Sequence, residues 1–130
     1  MKTSVRNRKR QPAAVLSRQE AVGRAEAYVR ANVGTLVPVS KLSRLVGLSE
    51  RGLRSAFYGV HGVSPKQWML AARLRDVRHA LTEGTAGSTT VTGVATDYGF
   101  YELGRFAATY RAAFGEAPSE TLRHRSEASR

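Results

Sequence analysis

The chain has 130 residues, 42% of them hydrophobic, with 21 Lys and Arg against 10 Asp and Glu. The formal charge is +11, and the pI is near 11.1. That size fits one ordinary domain or two very small ones sharing a core. The absence of cysteine excludes disulfides and thiolate metal sites. No apolar run approaches the ~20 residues that a membrane-spanning helix needs.

Residues 1–16 read as a disordered basic arm or linker. Five positive charges lie in the first ten residues (Lys2, Arg6, Arg8, Lys9, Arg10), and no acid precedes Glu20. Without them the remainder still carries five fewer, about +6, which suggests a polyanion partner, most simply nucleic acid. Two alternatives stand beside this: the charge serves only solubility, and the arm is only a linker. The basic start resembles the front of a signal peptide, but Ala13 to Leu16 is too short for the apolar region that must follow. The chain is therefore read as cytoplasmic, and associated with the nucleoid if its partner is DNA.

Ser17 with Glu20 three residues on forms a capping-box pattern and starts a helix over about 18–33. Val22, Ala25, Tyr28 and Val29 recur along it at helical spacing, and Gly34 ends it. Pro38 opens the next helix. Val39, Leu42, Leu45 and Val46 are its expected buried face, and Gly47 its turn. Ser49 then caps a longer helix that turns Leu53, Ala56, Phe57 and Val60 inward and Arg51, Arg54, Ser55 and Tyr58 outward.

Gly62 stops that helix, and Ser64-Pro65 starts another through about residue 83. Its inner stripe is Trp68, Ala71, Leu74, Val77 and Leu81, and its outer face carries Lys66, Arg73, Arg75, Arg78 and His79. It spans about 28 Å at 1.5 Å per residue. Residues 84–89 form a Gly/Ser/Thr loop. Thr90 or Thr92 caps a helix that buries Val91, Val94, Ala95 and Tyr98, and Gly99 turns the chain. Phe100, Phe106, Ala107, Tyr110 and Phe114 form the next inner face, leaving Glu102, Leu103, Arg105, Ala108 and Arg111 nearer the outside. A last short helix covers about 119–125, and residues 126–130 are expected to fray.

The stretch 39–65 is written twice. Val39, Leu42, Gly47 and Leu48 recur as Val91, Val94, Gly99 and Phe100; after one inserted residue, Leu53, Phe57, Gly62 and Pro65 recur as Phe106, Tyr110, Gly115 and Pro118. Each copy is a short amphipathic segment, a glycine, an apolar residue and a longer amphipathic segment, the pattern of a helix-turn-helix. The sequence thus predicts an all-α fold of about seven helices with two such units. The first covers 17–63, a linker helix 64–84 and the second unit 85–126, with a frayed tail at 127–130.

A major groove about 12 Å wide accepts one α-helix, and an arginine fork can bond the O6 and N7 of guanine. Arg51 and Arg54 lie one turn apart on one face, which makes them candidate base contacts, and Ser55 a less discriminating one. The second unit is chemically poorer. Leu103 can touch only a thymine methyl, and Gly104 and Ala108 offer no side-chain hydrogen bond. Glu102 either accepts from a cytosine amino group or favours the helix N-terminus, and Arg105 is either a phosphate contact or a solvated charge. The second unit is expected to contribute affinity more than sequence choice. Lys66, Arg73 and Arg111 are candidate phosphate contacts. Two such helices on a straight connector would lie about 34 Å apart, one turn of B-DNA.

Three blocks, L-S-E-R-G-L-R-S-A-F (48–57), G-V-S-P-K-Q-W (62–68) and V-A-T-D-Y-G-F-Y-E-L-G-R-F-A-A-T-Y-R-A-A-F-G-E-A-P-S (94–119), resemble the DNA-binding domain of the AraC/XylS family of bacterial transcription regulators. The resemblance runs from about Ala21 to Arg123. It implies a homeodomain-like pair of helix-turn-helix subdomains on a long linker helix, double-stranded promoter DNA as partner, and transcription activation through RNA polymerase. The family's base-contact positions fall here on Arg51, Arg54 and Ser55, and on Leu103, Gly104 and Ala108. The second set departs from the glutamine or arginine of other members. Members commonly carry a second domain that senses a ligand or mediates dimerisation, so the chain is read as either an excised fragment or a stand-alone regulator.

Enzyme chemistry has no support in the motifs. His61, His79 and His124 are far apart and in no metal-spaced cluster, no glycine-rich phosphate loop follows a strand, and the acids are scattered singly. Neither a metal nor another cofactor is expected. The competing reading is a nonspecific polyanion-binding protein, an architectural DNA or RNA binder.

Overall fold

The computed structural model describes residues 17–85 and 87–128, so the basic arm expected over 1–16 and the last two residues lie outside it. Seven helices and no strand are found among the described residues. They fall into two units. One contains residues up to 32 and 37–68; the other contains 33–36 and 69 onward. No helix among the described residues is long and apolar enough to cross a membrane.

In the first unit, α1 (Arg18–Ala31) opens on the capping box. The Glu20 N–H donates to Ser17 Oγ at 3.0 Å, and the Ser17 N–H donates to Glu20 Oε1 at 2.9 Å. This satisfies two of the donors that a helix start leaves without partners. The helix buries Ala21, Val22 and Ala25 and ends at Ala31, two residues short of the expected 33; the side-chain amide of its C-cap, Asn32, donates to the Tyr28 carbonyl.

Helix α2 (Val39–Val46) follows Pro38 and closes on Gly47, whose φ of +75° lies in the left-handed region. Leu48 N–H then reaches back to the Ser43 carbonyl at 2.9 Å, closing the turn. Helix α3 (Glu50–His61) is capped by Ser49 Oγ, which accepts from Gly52 N–H at 3.0 Å. Leu42, Val46, Leu53, Ala56 and Phe57 are buried. Each of the larger ones contributes ~1.5–3 kcal/mol on burial.

Two expected inward residues face out instead: Leu45 of α2 and Val60 of α3 are exposed. Leu42, Ser43 and Val46 already fill the narrow inner stripe of an eight-residue helix, and Ser43 takes the third place because its hydroxyl is satisfied by the Ser40 carbonyl. Trp68 closes this unit. Its ring meets Phe57 edge-on at 5.9 Å and stacks on His61 at 5.9 Å, with the Arg30 guanidinium 5.7 Å from the indole centroid. Glu26 accepts from His61 and pairs with Arg30 at 3.6 Å.

Trp68 lies in α4 (Pro65–Thr82), which starts on a reciprocal Ser64–Gln67 pair of hydrogen bonds. From Met69 onward its residues belong to the second unit. There the inner stripe is Leu70, Leu74, Val77 and Leu81, and Ala71, expected inside, is exposed. The steps of four, three and four keep one face turned inward, and Ala71 falls outside it.

Helix α5 (Val91–Asp97) is capped by Thr90, not Thr92, with Gly93 N–H donating to Thr90 Oγ1 at 3.0 Å. Gly99, at φ +86°, repeats the role of Gly47. Helix α6 (Leu103–Phe114) carries an aromatic ladder: Phe100 to Phe106 at 4.8 Å, Phe106 to Tyr110 at 5.8 Å, and Tyr110 to Phe114 at 4.7 Å. Helix α7 (Pro118–Ala128) runs three residues past the expected end at 125 and takes in 127–128 of the expected frayed tail. It is anchored where Tyr110 Oη meets Thr121 Oγ1 at 2.8 Å, with Thr121 in turn donating to Glu116. Burial pushes the Tyr110 phenol pKa up.

Candidate nucleic-acid interface

Each unit presents one longer helix behind a left-handed glycine turn: α3 after Gly47 and α6 after Gly99. The turn sets the angle of that helix, and the buried stripe fixes which of its sides faces out. In α3 the outward side is Arg51, Arg54, Ser55 and Tyr58, all exposed, as the spacing predicts. Tyr58 follows Arg51 by seven residues and Arg54 by four, extending the strip by one turn.

Arg54 Nη1 lies 4.0 Å from Glu50 Oε1, both about half exposed. An exposed i, i+4 pair of this kind is worth only ~0.3–0.5 kcal/mol, so the guanidinium is readily released to another acceptor. Among the described residues Arg51 and Ser55 have no such tether. Lys66, in the first turn of α4, is exposed.

The side of α6 is different. Glu102 is its N-cap residue but makes no side-chain cap hydrogen bond. Leu103, Gly104, Arg105 and Ala108 are all exposed, as expected. A side chain at Gly104 would meet nothing within 4 Å. Arg111 is exposed and pairs with Glu120 Oε1 at 3.5 Å. Glu120 also accepts the Ala117 N–H at 2.6 Å, and chiefly this bond holds its carboxyl below its ordinary pKa.

Arg78 is exposed on the outer face of α4, as expected, whereas Arg73 is not. Arg73 is half-buried, its Nη1 donates to the Tyr98 carbonyl at 3.2 Å, and its guanidinium lies 4.3 Å from the Phe100 centroid. Partial burial, which disfavours the charged form, lowers its pKa. Arg78 lies 4.8 Å from the Phe114 centroid. Both guanidiniums cover aromatic faces of the second unit while keeping a wet edge, which a spacing pattern cannot distinguish from full exposure.

One exposed aromatic lies in neither helical pattern of the second unit. Tyr101, between the turn and α6, is 68% exposed. Its only sequence signal is that it follows Phe100 without belonging to the inner stripe. Among the described residues no group of three or more His, Asp or Glu side chains is arranged to hold a metal ion.

Comparison with known proteins matches this arrangement. The helix-turn-helix domain family matches residues 42–124. The chain is 37% identical over 100 residues to the XylDLEGF operon transcriptional activator of Pseudomonas putida, covering 77% of this chain and 31% of that protein. It therefore spans about a third of the length of that relative. Among solved structures, a probable AraC family transcriptional regulator from Rhodopseudomonas palustris is 42% identical, with a TM-score of 0.74 and coverage of 81% of this chain and 96% of that one. A transcriptional regulator with an AraC-type DNA-binding domain from Chromobacterium violaceum is 26% identical, with a TM-score of 0.76 over 82% and 93% of the two chains.

Proposed function

Because the chain belongs to the AraC family of helix-turn-helix transcription regulators, we propose that it binds double-stranded promoter DNA sequence-specifically and activates transcription. The observation that carries this reading is the exposed pair Arg51 and Arg54, one turn apart at the start of a helix held by a glycine turn and a buried stripe. Two guanidinium forks in that position suit guanine edges in a major groove, with Ser55 beside them. Exposed Lys66, Arg105 and Arg111 serve the phosphates. The second unit adds its own helix, α6, to the same duplex.

The chain's charge of +11 supplies the nonspecific part of the affinity. The relative from Pseudomonas putida is named an operon activator. Activation by contact with RNA polymerase and a sensing or dimerisation segment in a longer protein follow as finer parts of the proposal, with the cytoplasm as the site of action. The role is regulation through binding, not catalysis.

Selection of duplexes from a randomised library, followed by footprinting on the winners, tests the reading and measures the half-site spacing. The expected result is a recovered motif containing guanines and an affinity for it at least a hundredfold above random competitor. Equal affinity for motif and competitor would instead identify a nonspecific polyanion binder.

A further inference from the structure

The second unit offers no hydrogen-bonding side chain at Leu103, Gly104 or Ala108, yet its surface there is not featureless. Tyr101 is 68% exposed and Leu103 is 39% exposed, on either side of the helix cap residue Glu102. Neither belongs to the core of the unit, which is built from Leu74, Val77, Leu81, Val94, Ala95, Phe106 and Tyr110. Their backbone is nevertheless pinned. Phe100 N–H donates to the Ala95 carbonyl at 2.9 Å before the pair, and Phe106 N–H donates to the Glu102 carbonyl at 2.9 Å after it. The Phe100 ring is held against Phe106 on one side and beneath the Arg73 guanidinium on the other. An exposed tyrosine and a partly exposed leucine thus stand at the head of the helix that, in the proposed function, enters the groove.

The major groove offers one strongly apolar feature on its base edges, the C5-methyl group of thymine. Beyond Leu103, open space at Gly104 and the small side chain of Ala108 leave the helix free to approach the groove floor. Glu102 makes no side-chain cap hydrogen bond, and its carboxylate keeps this edge from settling on phosphates while it can accept from a cytosine amino group.

We propose that Tyr101 and Leu103 form a thymine-methyl-reading edge, so that the second unit selects a thymine-containing half-site by apolar contact while the first selects guanine by hydrogen bonding. The inference rests on the DNA-binding reading above. It gives the second unit a share in sequence choice, where inspection of hydrogen-bonding groups alone leaves it only affinity.

Deoxyuridine differs from thymidine by the methyl group alone. The test takes duplexes selected by the full 130-residue chain, replaces each thymine singly by deoxyuridine, and measures affinity for the wild type and for Tyr101→Ala, Leu103→Ala and Arg54→Ala. At one or two thymines the wild type should lose about fourfold per methyl. That loss should vanish in Leu103→Ala or Tyr101→Ala and persist in Arg54→Ala, the coupling expected of a direct contact. Thermal unfolding of the two apolar variants should match the wild type, because both side chains are exposed.

Indifference of a selected duplex to every deoxyuridine overturns the inference while leaving DNA binding standing. So does a methyl effect of equal size in wild type and both variants, which would assign it to duplex stiffness. Failure to select any duplex removes the DNA-binding reading itself, and this inference with it.

Discussion

Arg73 separates a brace from a phosphate ligand, and the two roles have different signatures. Replacing it with alanine removes the hydrogen bond to the Tyr98 carbonyl and the guanidinium above Phe100. A bond from a charged donor is worth ~1.5–3 kcal/mol, and the low end applies because the side chain is half exposed. The aromatic contact adds ~0.5–1 kcal/mol. The sum, ~2 kcal/mol, should lower the Tm by about 8 °C at ~4 °C per kcal/mol for a chain of this size. Arg73→Lys should recover less than half, since an ammonium keeps the charge but not the flat fork that both bonds and stacks. The assay pairs thermal unfolding with a salt titration of DNA affinity. A lost phosphate contact reduces the slope of log K against log salt by about 0.9, whereas a lost brace leaves it unchanged. An Arg73→Ala protein with an unaltered Tm and a slope reduced by about 0.9 would refute the reasoning.

Arg54→Ala should lower affinity by ~1–3 kcal/mol and relax preference at one base position, seen by repeating the duplex selection; an equal loss on every sequence would make it a phosphate contact. Leu53→Ala and Phe106→Ala, each emptying a buried site, should destabilise their own units by ~2–5 kcal/mol in denaturant titrations followed by unit-resolved hydrogen exchange. Acid should loosen two helix starts before it unfolds the whole. Glu20 is held below its ordinary pKa chiefly by the Ser17 N–H, and Glu120 chiefly by the Ala117 N–H. A carboxylate depressed in the folded state stabilises fully above its unfolded pKa of ~4.3, and that contribution disappears as pH falls through the lower folded value. Amide exchange at the first turns of α1 and α7 should therefore rise below about pH 4, and Glu20→Gln should abolish the pH dependence at α1.

Much of the scaffold was legible because local chemistry and pattern agree. Gly47 and Gly99 occupy left-handed conformations that side chains resist, and Ser17, Ser49, Ser64 and Thr90 all cap the helices they precede. Arg51, Arg54 and Ser55 face out because Leu53, Ala56 and Phe57 are fully committed inside. What escaped is what depends on partners. Helical spacing shows a stripe but not its width, so it points Leu45 and Val60 inward although both are exposed. Charge shows a preference for water but not which ring lies below, so the outer-face pattern holds for exposed Arg78 and fails for Arg73, which is half-buried over Phe100. Tyr101 lies between two patterns and belongs to neither, so periodicity carries no signal for an exposed aromatic at the head of α6.

The four residues 33–36 bear on how this protein can be taken apart. They belong to the second unit although they lie between helices of the first in the chain. A methyl group built on Gly34 would come within 2.9 Å of the Asp97 carbonyl, and one on Gly99 within 3.0 Å of Leu36. A gene trimmed to begin at Met69 would therefore encode the second reader without the short strip that lies over its own bend, and such a half should fold poorly on its own. Duplication left two similar sentences in the sequence, but the second unit keeps four words written before the first of them, so a cut at Met69 takes away part of the unit it is meant to isolate.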